Sequence, residues 1–408
     1  MNLKNGNIVI NKIKKIPEEV KILFAGDLCP RGFLEKPVAN GQSGEILKDI
    51  LPALKDKDLS VVNFEAALTK KKYPILKHGA IIKLNPKCAC ILNECNFDVA
   101  ALANNHVGDF GPEEAMKTKQ IIENSGVKTV GMGKNFKDAR KPLFISKKGI
   151  RIAILNFAEN EFGQADDKTA GVAPMDPLAD IKDIREASKK TDITIAFIHG
   201  GKEYDPFPTP YTVQRYRAYT DAGAAAVIAT HTHCPQGMEI YNGKPIIYSM
   251  GNFLFPSRKE YDPAPLWWYG YMVKIAFNKH HAVSMEVIPH VLNPEQKKLK
   301  LLKDSTKIKF LKYIEQISAV IADDRKVKSR WDAWCTMKGP GSLGYINGAH
   351  WPVENKKALL KLMCARIVFT CEAHREVIDN FLRLVERNGL KPARRLIPDL
   401  IKTQNARF

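Results

Sequence analysis

From Lys21 to Phe277, short apolar runs alternate with helix-like stretches, and run after run stops on a residue of acid–base or metal-ligand type. The runs VKILFAGD, LSVVNFE, FDVAALANN, RIAILNFA, ITIAFIHG and AAVIATHTH are rich in Val, Ile, Phe and Ala, as strands buried on both faces are. Between them GPEEAMKTKQIIENSG and DPLADIKDIREASKKT carry helix start and stop signals. Strands alternating with helices predict a layered α/β fold. Asn242-Gly243 between two strand-like runs predicts a hairpin, and YGYMVKIAFNKHHAVSMEVIPHVL a second antiparallel pair. Past about residue 293 the period turns helical, in KIKFLKYIEQISAVIADD and ENKKALLKLMCARIVFTCEAHREVIDNFLRLVERNG, with KGPGSLGYINGAHWP between them as a Gly-rich loop. The expected organisation is a core domain over 20–293 followed by a helical C-terminal extension over 294–408.

In open α/β sheets a ligand site lies beyond the carboxyl ends of the strands. The first run ends at Asp27, the second at Glu65, the third at Asn104, Asn105 and His106, the fifth at His199 and the sixth at His231 and His233. Taken singly, an Asn or Asp there forms an Asx-turn, and a lone His is a packed, hydrogen-bonded one. Taken together the pattern is harder to dismiss, because four of only ten histidines sit at strand exits. Carboxylates, amides and imidazoles in one crevice suit divalent transition metals such as Mn, Fe or Zn. His-x-His puts two imidazoles on one side of an extended segment, so both face a metal pair.

Composition excludes little else. The formal net charge of +19 favours anionic partners, but the lysines are spread along the whole chain. The basic stretches PEQKKLKLLKDSTKIKFLK and KPARR lack the interleaved aromatics that stack single-stranded bases, so nucleic acid is not the expected partner. No run approaches the roughly 18 apolar residues of a membrane span. The first twenty residues lack the apolar core of a signal peptide, which makes the cytoplasm the expected location. Eight scattered cysteines, three of them (Cys88, Cys90, Cys95) without a matching second cluster, read as free, mostly buried thiols.

The ordered motifs GDLCPRG, NFEAALT, ANNHVGDFG, FIHGGKEYDPFP and THTHCPQGMEIYNGKPIIYSMGNFLF resemble the bacterial capsule-synthesis CapA family, also called the poly-γ-glutamate biosynthesis family, within the calcineurin-like metallophosphoesterase superfamily. The resemblance covers about residues 20–256. It implies a four-layered α/β sandwich with the site at the strand ends and one or two divalent ions. Residue by residue it implies that Asp27 binds a first metal, that Glu65 bridges, and that Asn105, His199 and His231 bind a second. His233 would return to the first metal, His106 would protonate the leaving oxygen, and Arg31, Glu203 and Asn252 would lie near the site. Asn104 reads as a turn former. Most superfamily members carry Asp-x-His in the first motif, whereas this chain has Asp27-Leu28-Cys29, leaving the first metal site the weaker one. Cys29 is open to ligation or to packing.

Two functions follow as expectations. One is a metal-dependent hydrolase, first of all a phosphoesterase, acting on an anionic small molecule or polymer. The other is a non-catalytic accessory protein of capsule or poly-γ-glutamate synthesis that uses the pocket for binding. A nucleic-acid-directed enzyme is suggested by the charge alone.

Overall fold

A computed structural model describes residues 3, 5–11, 18–257, 264–344 and 356–408. The main strands, in chain order, are β1 (Asn7–Val9), β2 (Val20–Leu28), β3 (Leu59–Phe64), β4 (Val99–Ala101), β5 (Lys128–Val130), β6 (Leu143–Lys147), β7 (Ile150–Ala158), β8 (Ile193–His199), β9 (Ala226–Thr230), β10 (Met238–Tyr241), β11 (Lys244–Ile247), β12 (Asn252–Leu254), β13 (Tyr269–Phe277), β14 (Ala282–Asn293) and β15 (Lys298–Leu301). The longer helices are α1 (Pro112–Asn124), α2 (Pro177–Ser188), α3 (Pro210–Asp221), α4 (Asp304–Ile321), α5 (Asp324–Leu343), α6 (Lys356–Thr370), α7 (Glu372–Glu386) and α8 (Ile397–Gln404). The first three all begin on Pro, which is pre-set for the first helical turn and needs no N–H there. Asp176 caps α2 through Leu178 N and Ala179 N, and Thr209 caps α3 through Thr212 N.

The strands form two mixed sheets. The first runs β1–β14–β13–β2–β3–β4–β5, with β12 added beside β2 and β15 beside β14. The second runs β10–β11–β9–β8–β7–β6. In the first, β2, β3, β4 and β5 are parallel, with Asp27 opposite Asn63 and Asn63 opposite Ala101. In the second, β7, β8 and β9 are parallel, with Ala158, His199 and Thr230 at one level. The sheets pack face to face through one continuous apolar core, where the Phe24 and Phe197 rings lie 6.4 Å apart. With α1 against the first sheet and α2 and α3 against the second, the architecture is a four-layered α/β sandwich with a helical C-terminal region. Both sets of parallel strands end at one edge.

Three features differ from the sequence reading. Helix does not begin at residue 294: residues 298–301 form β15 along β14, and α4 starts at Asp304. The stretch read as a Gly-rich loop from residue 338 continues α5 to Leu343, and the remainder, 345–352, lies outside the described residues. Gly339 explains that departure, since a Cβ there would stand 2.3 Å from the Phe381 ring; it permits α5 and α7 to pack closely. The long C-terminal helical pattern is two helices, α6 and α7, divided at Cys371, whose backbone is extended. Residues 354 and 355 of that pattern lie outside the described residues. The Asn242-Gly243 hairpin has φ of +50° and +74°, as a primed two-residue turn requires. Among the described residues no helix is long and apolar enough to cross a membrane.

The chain closes on itself through Phe408, whose ring lies 5.0 Å from those of Tyr269, Phe310 and Tyr313. At the strand ends, Gly26 sits where a Cβ would lie 1.9 Å from the Gly251 carbonyl oxygen. Asp27 N donates to that same oxygen at 3.3 Å, so Gly26 sets how closely β12 approaches β2. Gly26→Ala is expected to cost about 3 kcal/mol of stability by overpacking, read as a lowered urea midpoint with an unchanged slope.

Candidate metal centre

The parallel register brings the strand-end side chains into one buried cluster. Asp27, Asn63 and Glu65 come from β2 and β3 and the residue after it, Asn104, Asn105 and His106 follow β4, His199 ends β8, and His231 and His233 follow β9. Asp27, Asn63 and Glu65 have no solvent exposure, and Asn105, His106, His199, His231 and His233 are buried. The donors form two groups that share Glu65. One is Glu65, His199 and His231; the other is Asp27, Glu65 and His233; within each, the ligand-type atoms lie within 4.8 Å of one another.

The decisive atom is Glu65 Oε1. It is buried and has no hydrogen-bond partner. Around it stand His199 Nε2 at 3.7 Å, His106 Nε2 at 3.8 Å and His233 Nε2 at 3.9 Å, too far for hydrogen bonds. A buried, unpaired carboxylate oxygen is costly, and a cation held between it and the imidazoles removes that cost. The residues therefore fit a divalent cation, with carboxylate and imidazole donors suited to a transition metal. Burial, then the Asp27 charge, holds the Glu65 carboxyl well above the usual range. Burial, with His231, His233 and His106 around it, holds His199 well below the usual imidazole value. His231 and His233 are lowered as well, chiefly by burial.

Each donor is oriented by a second residue. Asn63 Nδ2 donates to Asp27 Oδ1 at 2.8 Å, and Asn63 Oδ1 accepts from Asn104 Nδ2 at 3.2 Å. Asn104 Oδ1 accepts from the backbone N–H groups of His106 and Val107, the Asx-turn expected of it. Asn105 Oδ1 lies 3.1 Å from His199 Nε2, and its Nδ2 donates to Glu161 Oε2 at 2.7 Å. Asn252 Oδ1 lies 2.8 Å from His233 Nδ1 while its Nδ2 donates to Trp267 O, so Asn252 orients an imidazole. His231 and His233 do not sit on an extended segment. Their φ values are +98° and +53°, a left-handed turn that sends the two rings into different groups.

His106 stands slightly apart. Its Nδ1 lies 2.8 Å from Asp109 Oδ2, which also accepts from Ile82 N. Asp109 Oδ1 accepts from the buried Lys77 Nζ at 2.6 Å. A carboxylate only accepts, so Nδ1 carries the hydrogen and Nε2 faces Glu65. Burial, then Lys77, lowers His106 to about 4 against the pull of Asp109. Arg31 lies with its guanidinium carbon 5.9 Å from the centre of the Phe255 ring. Glu203 follows β8; burial and the Glu161 charge raise its carboxyl, against His231. Cys29 is fully buried and belongs to neither donor group, and burial holds its thiol well above the usual range. Sequence reasoning did not pick out Asn63, Lys77, Asp109 or Glu161 for the site. Asn63 is the residue with a usable signal, since Asn63 and Glu65 alternate onto one side at the end of β3.

The family profile described as bacterial capsule synthesis protein PGA_cap matches residues 21–257. The chain belongs to this family. The PGA biosynthesis protein CapA of Bacillus subtilis (strain 168) is 32% identical over 249 residues, which is 60% of this chain and 66% of that protein. The capsule biosynthesis protein CapA of Bacillus anthracis is 28% identical over 247 residues, 58% of this chain and 60% of that protein. A probable polyglutamine synthesis accessory protein of Mycobacterium tuberculosis is 27% identical over 208 residues, 48% of this chain and 55% of that protein. The chain thus spans two thirds or less of the length of these curated relatives. Among solved structures, a 5′-nucleotidase precursor from Thermus thermophilus aligns with a TM-score of 0.42 at 12% identity, covering 82% of this chain and 68% of that one. The PGA_cap match encloses every strand-end residue of the cluster and stops short of β13 and the C-terminal helices.

The Lys77–Asp109 pair is buried, with side chains 2% and 0% exposed. Removing one partner of such a pair strands the other. Asp109→Asn is expected to lose about 3–5 kcal/mol in urea unfolding. Adding Lys77→Met is expected to recover about 1–3 kcal/mol, whereas strictly additive losses would show that the pair is not coupled.

Proposed function

We propose that this PGA_cap protein is a metal-dependent hydrolase of phosphoester type, with one or two Mn, Fe or Zn ions held by Asp27, Glu65, Asn105, His199, His231 and His233. The observation that carries the reading is Glu65 Oε1, a buried carboxylate oxygen without a hydrogen bond and faced by three imidazole nitrogens. Bound divalent cations supply charge neutralisation at the substrate's oxygens and make water more acidic. The chain's own residues do the rest. Arg31 presents a planar, bidentate fork to an anionic group. His106, fixed by Asp109, aims Nε2 into the cluster and delivers a proton to the leaving oxygen. With Nδ1–H held by Asp109, the proton that His106 gives to the leaving oxygen is the one carried on Nε2. Glu203 and Asn252 act by position, Asn252 by holding the His233 ring.

His199→Ala is expected to lose the metal held by the strand-end cluster, at least one ion per chain, measured by elemental analysis of purified protein. Unchanged metal content would show that the cluster is not the site. His106→Ala is expected to keep the metal and lose roughly 10²–10⁴-fold in turnover of an alkyl phosphoester. The loss should shrink for nitrophenyl esters, whose leaving group needs little protonation; equal losses for both would remove the acid role.

The second reading is a non-catalytic accessory protein of capsule or poly-γ-glutamate synthesis. It is favoured by the name of the mycobacterial relative and by the C-terminal helices packed beside the strand ends, where Gln404 donates to Tyr204 O and Glu372 accepts from Asn160. Absence of turnover of any phosphoester with any divalent metal, together with tight binding of an anionic polymer, would favour it.

A further inference from the structure

A second set of metal-type donors lies where the C-terminal helices meet the sandwich. Glu161 follows β7, Cys371 is the N-cap of α7, and His374 is in its first turn. One ligand-type atom from each lies within 4.8 Å of the other two. His374 Nε2 stands 3.9 Å from Glu161 Oε1. Glu159, two residues before Glu161, brings Oε2 to 3.6 Å from the Cys371 sulfur. Ligand atoms around one tetrahedral zinc, at ~2.0–2.3 Å from the ion, lie roughly 3.3–3.8 Å apart. For Glu161, Cys371 and His374 a contraction of about an ångström therefore closes the set.

The surroundings favour a cation. Glu159, Glu161, Glu372 and Glu376 are all buried within this junction. Asn160 and Thr209 supply neutral donors to Glu372 and Glu376, while half-buried Arg215 lies within electrostatic reach of Glu159, Glu372 and Glu376. A thiol, an imidazole and carboxylates form the donor mixture that selects zinc over the oxygen-seeking Mg²⁺ and Ca²⁺.

We propose that Glu161, Cys371 and His374 bind one zinc-type ion that fastens α7 to the sandwich, with Glu159 beside the Cys371 sulfur. On binding, the Cys371 thiol releases its proton to solvent and the sulfur coordinates as thiolate. Cys371 at the N-cap and His374 in the first turn of α7 bring ligand-type atoms within 4.8 Å of each other. Glu161 also takes the Asn105 amide at 2.7 Å, which puts this junction next to the histidine-rich cluster without sharing a donor with it. The proposal does not depend on the hydrolase reading.

The test uses the full chain, stripped with chelator and titrated with Co²⁺ as a spectroscopic probe. Wild type is expected to show a thiolate-to-cobalt charge-transfer band in the near ultraviolet. His199→Ala, which disturbs the histidine-rich cluster, is expected to keep it. Cys371→Ser is expected to abolish the band and lower bound cobalt by one ion per chain. Cys364→Ser, which removes a nearby thiol outside the set, is expected to leave both unchanged. Should Cys371→Ser fail to fold, His374→Gln is expected to weaken the cobalt species giving the band by about 10-fold or more. No thiolate band in wild type, a band that survives Cys371→Ser and disappears in Cys29→Ser, or an unchanged cobalt affinity in His374→Gln would each overturn the site.

Discussion

One buried amide governs the centre. Asn63 Nδ2 meets Asp27 Oδ1 at 2.8 Å, His199 Nδ1 at 3.1 Å and Glu65 Oε2 at 3.2 Å. An amide NH₂ has two hydrogens for these three neighbours. Donor capacity therefore falls short of what two buried carboxylates require, and Glu65 Oε1 is left with nothing. The shortage follows directly from the register: parallel pairing sets Asp27 opposite Asn63, and alternation along the chain returns Glu65 to the same side two residues later. A proton or a cation beside Glu65 Oε1 makes good such a shortage.

The remainder of the cluster is built by departures from regular strand geometry. Glycine at position 26 lets the Gly251 carbonyl approach within reach of Asp27 N, and Asn252, one residue on, then holds His233. His231 and His233 leave β9 through two left-handed residues. That conformation is unfavourable for a side chain with a Cβ, and it persists because the surrounding contacts fix it: His231 N donates to Asp27 Oδ2, and the His233 ring packs between Phe255 and Trp267. The strain divides two imidazoles that an extended segment would have kept on one side.

The C-terminal helices are bound to the sandwich by polar as well as apolar contacts. Glu372 accepts from Asn160, Glu376 from Thr209, and Arg366 donates to the Glu161 carbonyl. Phe408, the last residue, packs its ring into an aromatic cluster with Tyr269, Phe310 and Tyr313. The polar contacts join residues more than 150 positions apart. Helical periodicity announces that an apolar face exists but not which surface it covers, so a reading of residues 294–408 as helical carried no information about their reach toward the strand ends.

The sequence by itself determined the alternation of strand and helix, the hairpin at Asn242-Gly243 and the placing of Asp27, Glu65, Asn105, His106, His199 and His231 at strand exits. Local chemistry suffices there: apolar runs fix strands, Asn-Gly fixes the turn, and the parallel topology gathers the run ends. Tertiary structure alone decided the roles of Asn63, Lys77 and Asp109, because an amide or an ion pair is assigned by its partners and not by its neighbours in the chain. It also decided the extent of α5, where Gly339 serves close helix packing instead of breaking a helix. The same holds for the meeting of Glu161 with Cys371 and His374, more than two hundred residues away. No spacing rule spans such a distance; it takes the packing of α7 against the loop after β7 to bring those donors together.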